Sequence, residues 1–117
     1  METKLESFVI KRDNCPPLKF KGEKIGFGSD RNHNSNRWNE VSLYQTAGGR
    51  FVAVRKYFSQ WEGEKNFVSA EPFSCVSDLI SWLEKERDGL GSVEQEAIES
   101  AAKVSSVFDS AWVENVE

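Results

Sequence analysis

The hydrophobic pattern of this sequence changes its period near Pro72, and that change decides the class of fold. Before Pro72, apolar and polar residues alternate, as at Val41 and Leu43, which is the period expected of half-buried β-strands. After Pro72, apolar residues recur at helical spacing. Strands followed by helices favour an α+β fold. The sequence therefore predicts an antiparallel sheet of about five to six strands, built from hairpins, with two C-terminal helices packed on one face.

Turn residues divide the N-terminal part into strands. The predicted strands are Leu5–Lys11, Leu18–Lys21, Lys24–Phe27, Trp38–Thr46, Arg50–Phe58 and Asn66–Glu71. Gly22 is expected to open a tight hairpin turn, because the first central residue of a type II′ turn needs positive φ. Ala47-Gly48-Gly49 provides a second turn, and the Asn- and Ser-rich segment Gly28–Arg37 is predicted to be a mobile loop.

Two amphipathic helices are predicted after Pro72. The first is capped by Ser74 or Ser77 and runs to about Asp88, with Gly89 as its stop signal. Its narrow apolar stripe consists of Val76, Leu79, Ile80 and Leu83.

The second predicted helix begins at Ser92–Gln95, which matches a capping box. Its apolar face consists of Val93, Ala97, Ala101, Val104, Phe108 and Ala111 or Trp112. Because several of these side chains are small, we expect this helix to pack closely on another element.

The sign of the net charge changes at about the same place in the chain as the hydrophobic period does. Residues 1–60 hold eleven Lys/Arg and six Asp/Glu, whereas residues 61–117 hold four and thirteen. We expect one domain over 1–117, mainly β and basic in 1–71 and helical and acidic in 72–117. With no membrane segment or signal peptide predicted, the expected location is cytoplasmic. In that reducing compartment we expect Cys15 and Cys75 to be free thiols, one in a loop and one packed near a helix start, with a disulfide as the alternative.

The residue types needed for most catalytic sites are scarce. His33 is the one histidine, so neither a four-ligand zinc site nor a supported catalytic triad can be assembled. Gly26-Phe27-Gly28-Ser29 lacks the third glycine and the following helix of a dinucleotide site. Glu40, Glu62 and Glu64 could approach one another around the sheet, but without a carboxylate motif on adjacent strands. We predict a protein that is not an enzyme and uses no cofactor or metal.

The segment Leu43–Glu64, LYQTAGGRFVAVRKYFSQWEGE, resembles a hairpin of short uncharacterised bacterial proteins carried on plasmids and prophages. The residues that carry the resemblance are Leu43, Tyr44, Gly49, Val52, Trp61, Gly63 and Glu64. No activity is attached to these proteins. The resemblance implies an accessory protein of bacterial, phage or mobile-element origin.

Aromatic residues and arginines concentrate around the central strands, and this composition is typical of interface hot spots. The predicted partner-binding residues are Arg37, Trp38, Tyr44, Arg50, Arg55, Tyr57 and Trp61. Trp38 and Tyr44 share strand parity opposite Val41 and Leu43, which favours a position away from the core. The alternative is that the second helix covers them. The first functional hypothesis is recognition of another protein, by a monomer or a homodimer.

Two further hypotheses concern charge. Nucleic acid could bind the basic β half, although the chain as a whole is acidic, with a pI near 5.1. The residues for this alternative are Lys19, Lys21, Lys24, Arg50, Arg55 and Lys56. An acidic surface around the helices could instead mimic nucleic acid and inhibit a host or defence protein. Its residues are Glu84, Glu86, Asp88, Glu94, Glu96 and Glu99.

Overall fold

The computed structural model describes residues 5–31, 34, 36–86 and 91–112. In this part of the chain, five strands precede three helices. The strands are β1 (Glu6–Arg12), β2 (Cys15–Ser29), β3 (Arg37–Thr46), β4 (Phe51–Ser59) and β5 (Phe67–Phe73), and the helices are α1 (Val76–Glu86), α2 (Ser92–Ala102) and α3 (Ser106–Trp112). The strands form one antiparallel sheet in sequence order. The predicted α+β class is confirmed, with three helices instead of two.

The strand β2 corrects the predicted hairpin at Gly22. It is one strand of 15 residues that pairs with β1 in its first part and with β3 in its second. Gly22 lies where the two pairings meet, opposite both Glu6 and Thr46. A Cβ there would overlap the carbonyl oxygen of Gln45, so close backbone approach, and not a turn, requires glycine. The observed β1–β2 turn contains Asn14 at φ 63°.

The sheet curls until its first and last strands meet at one end. The Asp13 amide donates to the Val68 carbonyl at 3.0 Å, and the Val68 amide donates to the Asp13 carboxylate at 2.6 Å. Arg12 Nη1 donates to the Ala70 carbonyl at 3.0 Å. These bonds satisfy part of two edges that would otherwise be exposed. The curl also separates a concave side of the sheet from a side that faces the helices.

The main core lies between the helix-facing side of the sheet and all three helices. Its buried side chains include Val41, Leu43, Phe51, Ala53, Leu79, Leu83, Ile98 and Phe108. The predicted close packing of the second helix is confirmed at β2. A Cβ at Gly26 would lie 2.5 Å from the Ala97 carbonyl oxygen and 2.9 Å from Ala101 Cβ. Glycine in β2 and alanine in α2 therefore allow the backbones to touch.

A second, smaller core fills the concave side. It contains Tyr44, Val52, Val54 and Ala70, with Phe8, Ile10, Leu18, Phe20 and Val68 packed against them. The Tyr44 ring lies 4.9 Å from Phe8 and 5.5 Å from Phe20, centroid to centroid, in edge contacts. All five strands thus contribute to this core, and the apolar residues of β1 and β2 that alternate inward pack over the buried residues of β3 to β5.

The prediction of a single long second helix is also wrong, because the helix is interrupted between Ala102 and Ser106. The Ser105 hydroxyl accepts from the Phe108 amide at 3.5 Å and starts α3. The break redirects the chain so that Phe108 is fully buried against Phe51, with ring centroids 5.5 Å apart. It leaves Val104 70% exposed and not on an apolar helix face.

The helix starts differ from the predicted caps as well. The N-cap of α2 is Gly91, without a side-chain hydrogen bond, so the capping box is wrong. The helix α1 begins at Val76, between the two serines, while Asp88 and Gly89 lie outside the described residues. Cys15 and Cys75 are both free and exposed, so the predicted packing of Cys75 is wrong. In the described part of the chain, no helix combines the length and apolarity needed to cross a membrane.

Candidate protein-recognition site

The connection between β4 and β5 presents an exposed tryptophan on an ordered turn. Trp61 is 52% exposed, and its carbonyl accepts from the Glu64 amide at 3.2 Å. Gly63 is the third residue of this turn and has φ +87°, which a type II turn requires at that position. The Trp61 amide donates to the Ser59 hydroxyl at 3.1 Å. The turn therefore fixes the backbone of a large apolar side chain that remains exposed.

Arg37, at the start of β3, connects this turn to the sheet. Its Nε and Nη2 each donate to the Glu64 carboxylate at 2.8 Å, in a two-point contact. The guanidinium also lies over the Trp61 ring, 5.6 Å from its centroid, within cation–π range. Arg37 thus holds the carboxylate and the indole of one turn at the same time.

The same contacts change the acidity of Glu64. The pKa of this carboxyl is lowered from 4.5 to about 2, first by the Arg37 hydrogen bonds and then by that from Ser59, whose hydroxyl donates at 2.6 Å. A hydrogen bond from Tyr57 contributes to the same decrease. In turn, Glu64 raises the pKa of Arg37. The pair therefore stays ionised, and the two opposite charges offset each other at the surface.

Two more aromatic side chains adjoin the turn. Tyr57 of β4 is half-buried and pairs across the sheet with Phe67 of β5, which is 46% exposed. Directly opposed residues in an antiparallel pair have their Cβ atoms about 5 Å apart. We call Arg37, Tyr57, Trp61, Glu64 and Phe67 the Trp61 surface. The sequence analysis named Glu64 only as a candidate carboxylate and as a resemblance residue, and it did not name Phe67, although the alternation within the predicted strand Asn66–Glu71 could have placed Phe67.

The prediction that Trp38 and Tyr44 are exposed to a partner is wrong. Their strand parity is as predicted, away from Val41 and Leu43. Yet they are only 7% and 8% exposed. Tyr44 is covered by the β1–β2 strands and not by the second helix, because the sheet curls over it.

Trp38 is covered by different neighbours. Its ring stacks on Phe58 at 5.1 Å, and the Arg31 guanidinium lies 4.5 Å from its centroid on the far side of the sheet from the helices. The indole nitrogen donates to Glu40 at 3.2 Å. This tryptophan therefore has its partners within the chain.

Arg55 and Glu94 are also buried, which corrects both of their predicted roles. Arg55 Nη1 donates to the Glu94 carboxylate at 2.7 Å, and Nη2 donates to the Leu83 carbonyl at 3.0 Å. The side chains are 8% and 0% exposed. Glu94 does not belong to an acidic surface, and Arg55 is not available to a partner or to phosphates. The pair instead connects β4 with α1 and α2 inside the protein.

The remaining predicted residues occupy separate places. Arg50 is exposed beside the β3–β4 turn, at the opposite end of the strands from Arg37. Glu84, Glu96 and Glu99 are exposed on the helices. Asp88 and the side chain of Glu86 lie outside what the structure describes. Of the predicted partner-binding set, the fold brings together Arg37, Tyr57 and Trp61.

Catalytic arrangements receive no support from the described geometry. Residues 5–31, 34, 36–86 and 91–112 contain no cluster of three metal-ligating side chains, and His33 lies outside those ranges. Gly26 and Gly28 pack against α2 instead of forming a phosphate loop. Glu40 binds the Trp38 indole, while Glu64 binds Arg37, which has the opposite strand parity. Glu40 and Glu64, which could have approached each other around the sheet, therefore have separate partners.

Comparison with known proteins adds no family. No protein-family model matches the sequence, and the searches of curated proteins and of solved structures find no match either. The resemblance of Leu43–Glu64 to plasmid- and prophage-borne proteins stays a prediction.

Proposed function

We propose that this protein is a non-catalytic binding protein that recognises another protein through the Trp61 surface. The observation that carries the proposal is Trp61 itself, 52% exposed on a turn whose backbone and ring are both held by other residues. Tryptophan, tyrosine and arginine are the residues enriched in interface hot spots. Because the turn is ordered before binding, little conformational entropy is lost when a partner covers the ring.

Stability alone gives a weaker reason for this arrangement. Surface ion pairs contribute little to folding, and an exposed indole gains little from burial. The Arg37–Glu64 pair, with side chains 55% and 33% exposed, mainly fixes the position of Trp61. A preorganised aromatic residue beside a neutralised ion pair suits a partner surface that is apolar at its centre and polar at its rim.

The test is affinity capture from a bacterial lysate with immobilised wild-type protein, Trp61→Ala and Phe27→Ala. Phe27 is the matched control, since it is an aromatic residue 38% exposed on another part of the molecule. We expect proteins retained by the wild type and by Phe27→Ala to be lost with Trp61→Ala, and nuclease treatment to leave them bound. Equal retention by all three proteins would contradict the proposal.

Binding of nucleic acid is the second candidate, and the basic side chains on the concave side of the sheet favour it. The pKa of Lys24 is lowered by partial burial and then by the nearby Lys56 ammonium, which places two cations close together. Phe27 lies under Lys24, 4.3 Å from its ammonium, and offers a partly exposed ring for stacking. Arg55, which was assigned to this strip, is buried elsewhere.

Fluorescence polarisation with labelled single-stranded DNA and RNA separates the two candidates. If the strip binds phosphates, Lys24→Glu should reduce affinity and flatten its dependence on salt, whereas the exposed helical Lys85→Glu should not. If neither the DNA nor the RNA binds the wild type at low salt, the nucleic-acid candidate is wrong.

A further inference from the structure

A second site lies at the end of the sheet that is remote from Trp61. There the concave side holds a cavity of about 310 Å³, and small-molecule sites measure roughly 300–1,000 Å³. Its lining residues are Leu18, Lys19, Phe20, Thr46, Arg50, Val52 and Pro72. They come from strands β2 to β5, so the cavity is a mouth of the curled sheet. We call it the Arg50 cavity.

The cavity exists because the concave core is filled at its centre and not at this end. The rings of Phe8, Phe20 and Tyr44 contact one another at 4.9–5.5 Å and fill the middle. Further along, Val52 lies opposite Pro72, and neither side chain is large enough to span the curl. The walls are therefore mainly apolar, with Val52 buried and Leu18 and Phe20 half-buried.

The rim of the Arg50 cavity is cationic. Lys19 and Arg50 contribute to its lining, and none of the described residues that line it is acidic. Arg50 forms no ion pair within the described chain, in contrast to Arg12, Arg37 and Arg55. Its backbone is fixed at the turn, since its amide donates to the Thr46 hydroxyl at 2.9 Å. An arginine that forms no ion pair with any described carboxylate thus lies at the mouth of an apolar cavity.

We propose that the Arg50 cavity binds a small amphipathic anion, an aliphatic chain that ends in a carboxylate. The chain would displace water from the apolar walls, and the carboxylate would accept two hydrogen bonds from the guanidinium of Arg50. A cationic head group fits the site poorly because the charged side chains described in its lining, Lys19 and Arg50, are both cations, and a neutral head group forms no ion pair with them. This site is separate from the Trp61 surface and does not depend on the proposed protein partner.

Titration calorimetry with octanoate, below its micelle-forming concentration, tests the proposal. We expect octanoate to bind the wild type, octan-1-ol to bind about tenfold more weakly, and octylammonium not to bind. Arg50→Gln should weaken octanoate binding by about tenfold, because a charged hydrogen-bonding group is lost. The matched control is Arg31→Gln, which removes an exposed arginine outside the cavity and should leave binding unchanged.

Amide shifts in a proton–nitrogen correlation spectrum locate the ligand without any variant. Octanoate should move the signals of Leu18, Thr46 and Val52 and leave those around Trp61 in place. A filling variant, Leu18→Trp, should abolish binding while retaining the dispersed spectrum of a folded protein. The proposal is overturned if octanoate does not bind, if octan-1-ol binds as tightly, if the two arginine variants behave alike, or if the shifts cluster elsewhere.

Discussion

Two arginine–glutamate pairs occupy contrasting regions of the molecule. The arginine of each pair belongs to a strand and has the alternation of the residues that face the helices. Arg55 and Glu94 lie between the sheet and the helices, 2.7 Å apart and 8% and 0% exposed. Arg37 and Glu64 lie beyond the helices at the end of the sheet, 2.8 Å apart and 55% and 33% exposed. The chemistry of the two pairs is the same, and what differs is whether the helical layer covers them.

That difference assigns the two pairs opposite roles. Inside the protein, a charge deprived of its partner has no water to solvate it, so the interior pair makes the fold depend on both members. At the surface, water solvates either member alone, so the exposed pair is available to position Trp61. Identical residues therefore serve structure in one region and recognition in the other.

The strongest test of this contrast removes each arginine in turn. We expect Arg55→Met to lower the free energy of unfolding by about 3–5 kcal/mol, because the buried Glu94 carboxylate loses the guanidinium that donates to it at 2.7 Å. Arg37→Met should have a much smaller effect. Urea denaturation of the two variants measures the difference.

A double variant identifies the cause of the loss. Replacing both members, Arg55→Met with Glu94→Leu, should recover most of the stability, since an apolar pair of similar volume often substitutes for a buried ion pair. If Arg55→Met and Arg37→Met lower stability equally, burial does not distinguish the two pairs.

The buried pair could have been anticipated in part. Arg55 follows Phe51 and Ala53 at spacing of two, and Glu94 precedes Ala97 and Ile98 at helical spacing, so each charge lies on an apolar face. A charge on an apolar face needs a buried partner. Which two charges meet depends on how α2 crosses the sheet, and local periodicity holds no information on that register.

The burial of Trp38 and Tyr44 was less accessible to sequence reasoning. The alternation of β3 correctly separates them from Val41, but the burial of Tyr44 depends on β1 and the first part of β2, and that of Trp38 depends on contacts with Phe58 and Arg31. Reading Gly22 as a turn made β2 two short strands, and two short strands would not curl over Tyr44. The Trp61 turn, by contrast, is local, since the hydrogen bonds of the Trp61 amide and carbonyl join residues within 59–64.

The next test moves the helical layer, which covers Arg55 and Glu94 but not Arg37 and Glu64. A Cβ at Gly28 would overlap the Val93 carbonyl oxygen and lie 2.9 Å from the Ala97 amide nitrogen, so Gly28→Ala pushes the start of α2 away from the sheet. We expect stability to fall by about 3 kcal/mol, because backbone atoms cannot move aside as a side chain can. Thermal and urea unfolding measure the loss.

Gly48→Ala is the matched control for this change. The nearest heavy atom to a Cβ there is Thr46 Oγ1, at 3.9 Å. Stability should stay the same or rise by less than about 1 kcal/mol, since alanine restricts the unfolded chain. In the Gly28→Ala background, adding Arg55→Met should cost less than it does in the wild type, because the shifted helix admits water to Glu94. If the losses of stability from Gly28→Ala and Arg55→Met are fully additive, α2 is not the element that keeps water from Glu94.

The smallest expected effect concerns the exposed pair and its response to pH. The pKa of Glu64 is lowered from 4.5 to about 2, chiefly by Arg37, so the folded protein binds this proton more weakly than the unfolded chain does. The resulting stabilisation is complete above pH 4.5 and is lost as the pH falls towards 2. The difference in Tm between the wild type and Glu64→Gln should therefore shrink across that interval.

Glu62→Gln is the control, as it removes a carboxylate from the same turn and leaves the Arg37 contact intact. A carbon-13 titration of the Glu64 carboxyl with a midpoint near 4.5 would show that Arg37 does not hold it in solution, and Trp61 would then lose the support on which its role in recognition depends.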